Sequence, residues 1–233
     1  MRSDEVREWL FRTVSERELP PVFAIERHRA FEEKERARFL DFGLRSSRRN
    51  PSGTLELRLS ELEFVRFGDP LSSIVAAARQ EDPRREILPL IPPHEGSQFL
   101  VARTRIGSLP VIGPGGKILV QRSDTSLTAD ITVRRREPDA IPSDGWIEPD
   151  VVHRSLLSGF LGAEDRIDVE PTLGYFERSK YHAQYLLRPT YLFVIRPRDE
   201  GTAESRSLWE TTHIVPATWN LAVELNEERE TFG

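Results

Sequence analysis

The sequence predicts an α+β protein of two small lobes, each a helix packed on an antiparallel sheet. The first observation is that segments with apolar residues at helical spacing alternate with segments of period two. The second is composition: 38% of the 233 residues are hydrophobic and 30% are charged, with 12 Phe and 4 Trp, which is typical of a folded protein. The third is that the plan of a helix followed by strands occurs twice, which indicates two similar lobes.

The first part of the chain is expected to be rich in helix. Apolar residues at helical spacing predict a short amphipathic helix over 5–17 and the first main helix over 23–42. Leucines alternate with polar residues over 55–59, which is the period of a half-buried strand. Asp69 followed by Pro70 is a typical N-cap and first-turn pair, so a further helix is expected to begin there.

The second part is expected to be richer in strands. One helix is predicted from Pro149 to Gly162, where apolar residues follow one face. Within the apolar segment 182–196, Pro189 interrupts the hydrogen-bond ladder and favours an edge or a bulge. Alternating patterns predict the remaining strands over 99–105, 117–122, 127–133, 173–176 and 207–215.

The stretch 81–96, rich in proline and glycine, is the best candidate for a domain boundary. It divides the chain into a helix-rich lobe, residues 1–95, and a strand-rich lobe with one central helix, residues 96–233. Length alone allows either one large domain or two small ones.

Composition excludes several classes of protein. The formal net charge of -5 gives the whole molecule no attraction for phosphate backbones or anionic membranes. Without cysteine there is no disulfide and no zinc–sulfur site. No apolar run reaches the roughly 18 residues of a transmembrane helix. Because the first residues lack the apolar core of a signal peptide, the protein is expected to be cytoplasmic as written, and exported if a leader has been removed.

No motif predicts catalysis or a cofactor. The segment Gly113 to Lys117 has the glycines of a phosphate loop, but strand-forming residues follow it, so a plain hairpin turn is expected. Glu210 and His213 have the spacing of a metal pair on a helix. Their segment predicts a strand, however, where positions three apart point to opposite faces. No catalytic residue, metal or cofactor is therefore assigned.

Two arginine clusters are candidates for contact with nucleic acid. They are Arg45, Arg48 and Arg49 in a polar turn, and Arg134, Arg135 and Arg136 at the end of a predicted strand. From that strand Arg134 and Arg136 would face solvent. Since the chain is acidic overall, a solvated surface is favoured over nucleic-acid binding.

Aromatic residues gather in one predicted sheet region. They are Tyr175, Tyr181, Tyr185, Tyr191, Trp209 and Trp219. Two interpretations stay open, of which the first is favoured: ordinary sheet packing, which uses aromatics heavily, or an exposed recognition face, because Tyr and Trp are enriched in binding hot spots. On the second interpretation the binding residues are Tyr185, Tyr191, Trp209 and, in the hairpin loop between the strands, Glu200.

Several segments follow one another in a distinctive order between Phe23 and Pro216. They are ARFLDFGLR, LPVIGPGGKILVQ, a strand ending in RRR, EPDVVHRSLLSGFL, LGYF and LLRPTYLFVI. This order resembles the two-lobed PepSY-like proteins, which include fungalysin-type protease propeptides and the YycH/YycI regulators. Members of that group are mostly exported or membrane-tethered, and the missing signal peptide departs from them. The resemblance implies a small sheet packed against a helix in each lobe, acting by binding or inhibiting a partner without catalysis.

The leading hypothesis is a non-catalytic module that binds a protein or peptide partner, as a regulator, inhibitor or assembly component. The first alternative is an enzyme whose site is assembled from dispersed residues, with the candidates His153, His182, His213, Glu210 and Asp168. The second is a structural subunit of a larger complex. Nucleic-acid binding comes last, because it requires the two arginine clusters to adjoin in space.

Overall fold

The computed structural model describes residues 1–25, 46–49, 55–60, 69–124, 126–134, 136–158, 166–178, 184, 186–198 and 210–219. The helices within these ranges are α1 (Ser3–Glu16), α2 (Pro70–Glu81) and α3 (Pro149–Leu157). The strands of the first half are β1 (Val22–Ile25), β2 (Ser46–Arg49), β3 (Leu55–Ser60), β4 (Arg85–Ile87), β5 (Phe99–Ile106) and β6 (Leu109–Ile112). Those that follow are β7 (Lys117–Arg122), β8 (Ser126–Ile131), β9 (Arg136–Ile141), β10 (Gly145–Trp146), β11 (Ile167–Phe176), β12 (Leu186–Leu187), β13 (Pro189–Pro197), β14 (Thr211–Pro216) and β15 (Thr218–Trp219).

Local chemistry explains where helix α2 begins. The Asp69 carboxylate accepts hydrogen bonds from the backbone N–H of Leu71 at 3.0 Å and of Ser72 at 3.4 Å. Pro70 occupies the first turn, where its missing N–H costs nothing. The predicted start of this helix is therefore confirmed, and α1 confirms the predicted helix over 5–17.

The α+β class is confirmed, and the chain forms two compact units that are both discontinuous in sequence. The first unit comprises Met1–Val22, Ala140–Gly174 and Arg188–Gly233, and the second comprises Phe23–Asp139 and Tyr175–Leu187. These units do not coincide with the predicted lobes 1–95 and 96–233. The reason is that β4 pairs antiparallel with β5, so the stretch 81–96 lies inside the second unit as part of its sheet.

The first unit packs two helices on an antiparallel ladder. Its strands run in the order β14-β13-β11, and β14 pairs with β13 along its whole length, from Thr211 opposite Ile195 to Pro216 opposite Thr190. Helices α1 and α3 lie against one another, and α3 also lies against β14. The buried residues of this layer are Val6, Leu10, Val152, Leu156, Tyr191, Phe193 and Ile195.

The second unit is built around strand β5. Its sheet runs β6-β5-β7-β8-β3-β2, with β4 also on β5, and the last two residues of β11 pair parallel with β6. Helix α2 closes an apolar core with Ile74, Ala77 and Ala78. Strands β5, β7 and β8 supply most of that core with Ala102, Ile118, Val120, Leu127, Ala129 and Ile131, and Ile87 and Val133 complete it.

One predicted helix begins where the structure has a strand. Residues 22–25 form β1, which pairs antiparallel with β12 through Phe23 opposite Leu187, whereas a helix was predicted over 23–42. Three of the four residues of β1 are buried, including Val22 and Ile25. Burial against a distant strand thus overrides the helical spacing here, and the rest of that predicted helix lies outside the described residues. None of the described helices is long and apolar enough to span a membrane.

Candidate functional site

The structure buries two of the aromatic residues that the recognition interpretation places on an exposed face. Tyr191 is fully buried, with its ring 5.8 Å from that of Trp9 on α1 and 6.1 Å from that of Phe193. Tyr175 is buried too, with its ring 5.6 Å from Phe23. For Tyr175 and Tyr191 the interpretation as sheet packing is therefore correct, and the interpretation as an exposed recognition face is wrong. The other predicted binding residues, Tyr185, Glu200 and Trp209, lie outside the described residues, as does Tyr181.

The acidic candidates for a dispersed enzyme site are held in ion pairs. Arg196 contacts Glu170 at 2.7 Å and Glu210 at 2.8 Å, and Arg198 contacts Asp168 at 3.1 Å. The hydrogen bonds to the two glutamates raise the pKa of Arg196 above its ordinary value. All these groups are partly exposed, so the pairs are of the weak, solvent-screened kind.

His153 is tied to a serine in a way that excludes a nucleophile–base pair. Its Nε2 lies 3.0 Å from Ser3 Oγ and 3.0 Å from the Ser3 carbonyl oxygen. A carbonyl oxygen only accepts hydrogen bonds, so Nε2 carries the hydrogen and cannot take the proton of the serine hydroxyl. The pair instead fastens α1 to α3, together with the ion pair of Arg7 and Asp150 at 2.7 Å.

His213 lies opposite Phe193 on the covered face of β13 and β14, while Glu210 contacts Arg196. The Glu210 carboxylate is thus held by an arginine, and His213 lies against an aromatic residue of the neighbouring strand. Among the described residues no group of three potential ligands could hold a metal ion. His182 lies outside these residues.

Sequence reasoning missed a buried charge cluster in the second unit, made of Asp82, Arg85, Arg134, Arg136 and Glu177. Arg134 and Arg136 were predicted to face solvent, yet they are 2% and 8% exposed. Arg136 binds Asp82 with both Nε and Nη2, at 2.5 and 2.9 Å, and its guanidinium lies 4.3 Å from the centre of the Phe23 ring. The prediction was wrong because partners from distant segments enclose these side chains.

Glu177 is the central carboxylate of the cluster. It is 0% exposed and contacts Arg85 at 2.5 Å with one oxygen and Arg134 at 3.3 Å with the other. Burial lowers the pKa of Arg134, and the neighbouring charges of Arg85 and Arg178 lower it further. Burial acts the same way on Arg85, but the charges of Glu177 and Asp82 outweigh it and raise the pKa. Both arginines therefore depend on Glu177 to offset the cost of their burial.

The glycine segment between β6 and β7 encloses Glu177 and does not form a phosphate loop. The Gly115 N–H donates to the Glu177 carbonyl oxygen at 2.9 Å. Gly113 has a φ of 92°, and a Cβ atom there would lie 2.5 Å from the Phe176 ring. A hairpin turn was predicted here, and that pairing is wrong: the segment connects β6 and β7, but both strands pair with β5 and not with one another. The Arg48 and Arg49 backbone lies in β2, while Arg45 and Arg135 lie outside the described residues.

The opposite face of β13 and β14 is apolar too, and we call it the outer face. It comprises Leu192, Val194, Thr212 and Ile214, which the strand register places directly opposite one another in two pairs. Leu192 and Val194 are half-buried, and Ile214 is 42% exposed. Strand β14 is the last strand in its order, and within the described residues no other strand pairs with its second edge.

No family model matches the sequence, and no curated protein matches it. The chain is similar to the solved structure of an uncharacterized protein from Eubacterium rectale, with a TM-score of 0.40 and 7% sequence identity over 88% of this chain and 86% of that one. Similarity of that level supports no inference about the function of this chain.

Proposed function

We propose that the chain is a non-catalytic module that binds an extended segment of another protein or a peptide, which adds as a strand to β14. The observation that carries the proposal is the position of β14 at the end of its ladder beside the outer face. An extended peptide that joins a sheet edge gains main-chain hydrogen bonds, and pockets for alternate side chains give it specificity.

The side chains along β14 suit such an addition. Thr211, Thr212 and Ile214 are exposed and β-branched, and they favour an extended backbone. Native proteins commonly protect edge strands with charged residues or a bulge. Within the described strand, Thr211–Pro216, there is no Asp, Glu, Lys or Arg, and Pro216 at its end is the protecting feature. Ile214 with Leu192 and Val194 offers an apolar surface for every second side chain of the added segment.

The described candidates for catalysis do not converge on a common point. Asp168 and Glu210 are held by arginines, His153 is held by Ser3, and His213 lies on the covered face. This arrangement favours binding over an enzyme site assembled from these residues. A regulator, an inhibitor and an assembly component are all compatible with strand addition, and the resemblance to PepSY-like proteins implies the same class of function.

The proposal is tested with the full chain and a library of random peptides displayed on phage. Wild-type protein is expected to select peptides with apolar residues at alternate positions. Ile214→Lys should weaken the selected peptides at least tenfold, about 1.4 kcal/mol, because lysine removes the apolar contact. Leu19→Lys is the matched control, since Leu19 has the same exposure of 42% in the same unit.

Two outcomes would overturn the proposal. One is equal loss of binding in Ile214→Lys and Leu19→Lys. The other is selection of no peptide at all, together with self-association of the wild type that Ile214→Lys abolishes. The latter would identify β14 as an interface between copies of the chain, as expected of a structural subunit.

A further inference from the structure

Two polar atoms on the covered face of β13 and β14 are enclosed and unsatisfied. They are the hydroxyl oxygen of Tyr191 and Nε2 of His213, and neither has a hydrogen-bond partner among the groups that the structure describes. A buried polar atom without a partner destabilises the folded state, so native proteins rarely keep one. Two such atoms in one layer therefore point to a group that satisfies both.

The strand register brings the two side chains to the same part of the face. Tyr191 lies opposite Val215, and His213 lies opposite Phe193. Tyr191 and His213 are thus diagonal neighbours, a relation in which the backbones are about 7–8 Å apart and long side chains still reach one another. The two groups do not bond each other directly.

The chemistry of the surroundings selects the kind of ligand. Tyr191 packs against the uncharged rings of Trp9 and Phe193, of which the Trp9 indole carries one N–H donor and the Phe193 ring carries no polar atom. An ion would be costly to bury among such groups. A small neutral molecule that both donates and accepts hydrogen bonds suits the pair, because a phenol does both and a neutral imidazole nitrogen does either.

We propose that Tyr191 Oη and His213 Nε2 together bind one water molecule between the helical layer and the β13–β14 ladder. Such a bound water joins the core of the first unit to strand β14. Buried waters commonly satisfy otherwise unpaired polar groups in this way and are costly to remove. The inference is independent of the proposed peptide binding.

Tyr191→Phe in the full chain tests the proposal by the direction in which it changes the folding equilibrium constant. If the hydroxyl is bound to water, its removal should lower the folding equilibrium constant severalfold in urea unfolding. If the hydroxyl is unsatisfied, phenylalanine removes a buried polar atom without loss and the constant should rise, which would overturn the proposal. His213→Leu combined with Tyr191→Phe should lower the constant less than the product of the two single effects, because both remove the same water.

A direct observation needs no variant. In a high-resolution crystal structure of the wild type, one water should lie within about 3.2 Å of both atoms. A dry site, or a direct bond between the two side chains, would refute the proposal even if Tyr191→Phe fails to fold.

Discussion

Replacing Glu177 with glutamine removes the charge on which the buried cluster of the second unit depends. The side chain is 0% exposed, and its two oxygens contact Arg85 at 2.5 Å and Arg134 at 3.3 Å. Glutamine has nearly the same shape, so packing beneath the glycine segment is retained. The substitution therefore isolates the loss of a negative charge between two buried guanidinium groups.

The expected loss of stability is about 3–5 kcal/mol, the usual effect of removing one partner from a buried ion pair. Much of it comes from the positive charges left behind and not from the lost contact itself. Glu86 provides the matched control in the same unit. It contacts Arg105 at the same 2.5 Å but is 53% exposed, so Glu86→Gln should cost at most about 1 kcal/mol.

The assay is urea unfolding monitored by circular dichroism. Trp fluorescence alone would be unsuitable, because the described tryptophans, Trp9, Trp146 and Trp219, belong to the first unit and Glu177 belongs to the second. Equal destabilisation by Glu177→Gln and Glu86→Gln would refute the argument that burial, and not distance, decides the strength of these pairs.

Two further predictions concern the helix cap and the buried tyrosine of the second unit. Asp69→Ala should destabilise the protein by about 1 kcal/mol in the same unfolding assay, whereas Asp69→Ser should retain most of the cap; equal effects of the two would contradict the capping role. Burial raises the pKa of Tyr175 from 10.0 to about 12, so the folded protein keeps a proton that the unfolded chain loses. The stability due to this group is thus complete below about pH 10 and falls as the pH rises towards 12, by at most about 1.4 kcal/mol per pH unit. Urea midpoints at about pH 9 and about pH 11 should therefore differ less in Tyr175→Phe than in the wild type, and an unchanged difference would sink the argument.

The elements that could be predicted from the sequence are those with a local cause. Helix α2 begins at Asp69 because that side chain and Pro70 act within one turn. Strand β1 could not be predicted in this way, since its partner β12 lies more than a hundred residues further along the chain. The same holds for the division into units, where pairing of β4 with β5 places the proline-rich stretch inside a sheet.

The buried arginines show a second limit of prediction from the sequence. Nothing in the spacing around Arg134 and Arg136 distinguishes them from solvated residues. Their burial depends on Asp82 and Glu177, which lie more than forty residues away on either side. A guanidinium is buried only where the fold brings carboxylates next to it. Such a cluster therefore cannot be recognised from the local sequence.

The aromatic sheet shows why the proposed binding site lies on the outer face of β13 and β14 and not on the predicted aromatic face. A period of two correctly groups Tyr191, Phe193 and Ile195 on one side of β13, and it groups Leu192 and Val194 on the other. Both sides are apolar, so the period does not reveal which of them a helix covers. In the structure α1 covers the aromatic side, because Trp9 packs on Tyr191. The other side carries smaller aliphatic residues, and no described strand pairs with the second edge of β14 beside them. The proposed partner would therefore recognise backbone and alternate apolar side chains instead of an aromatic surface.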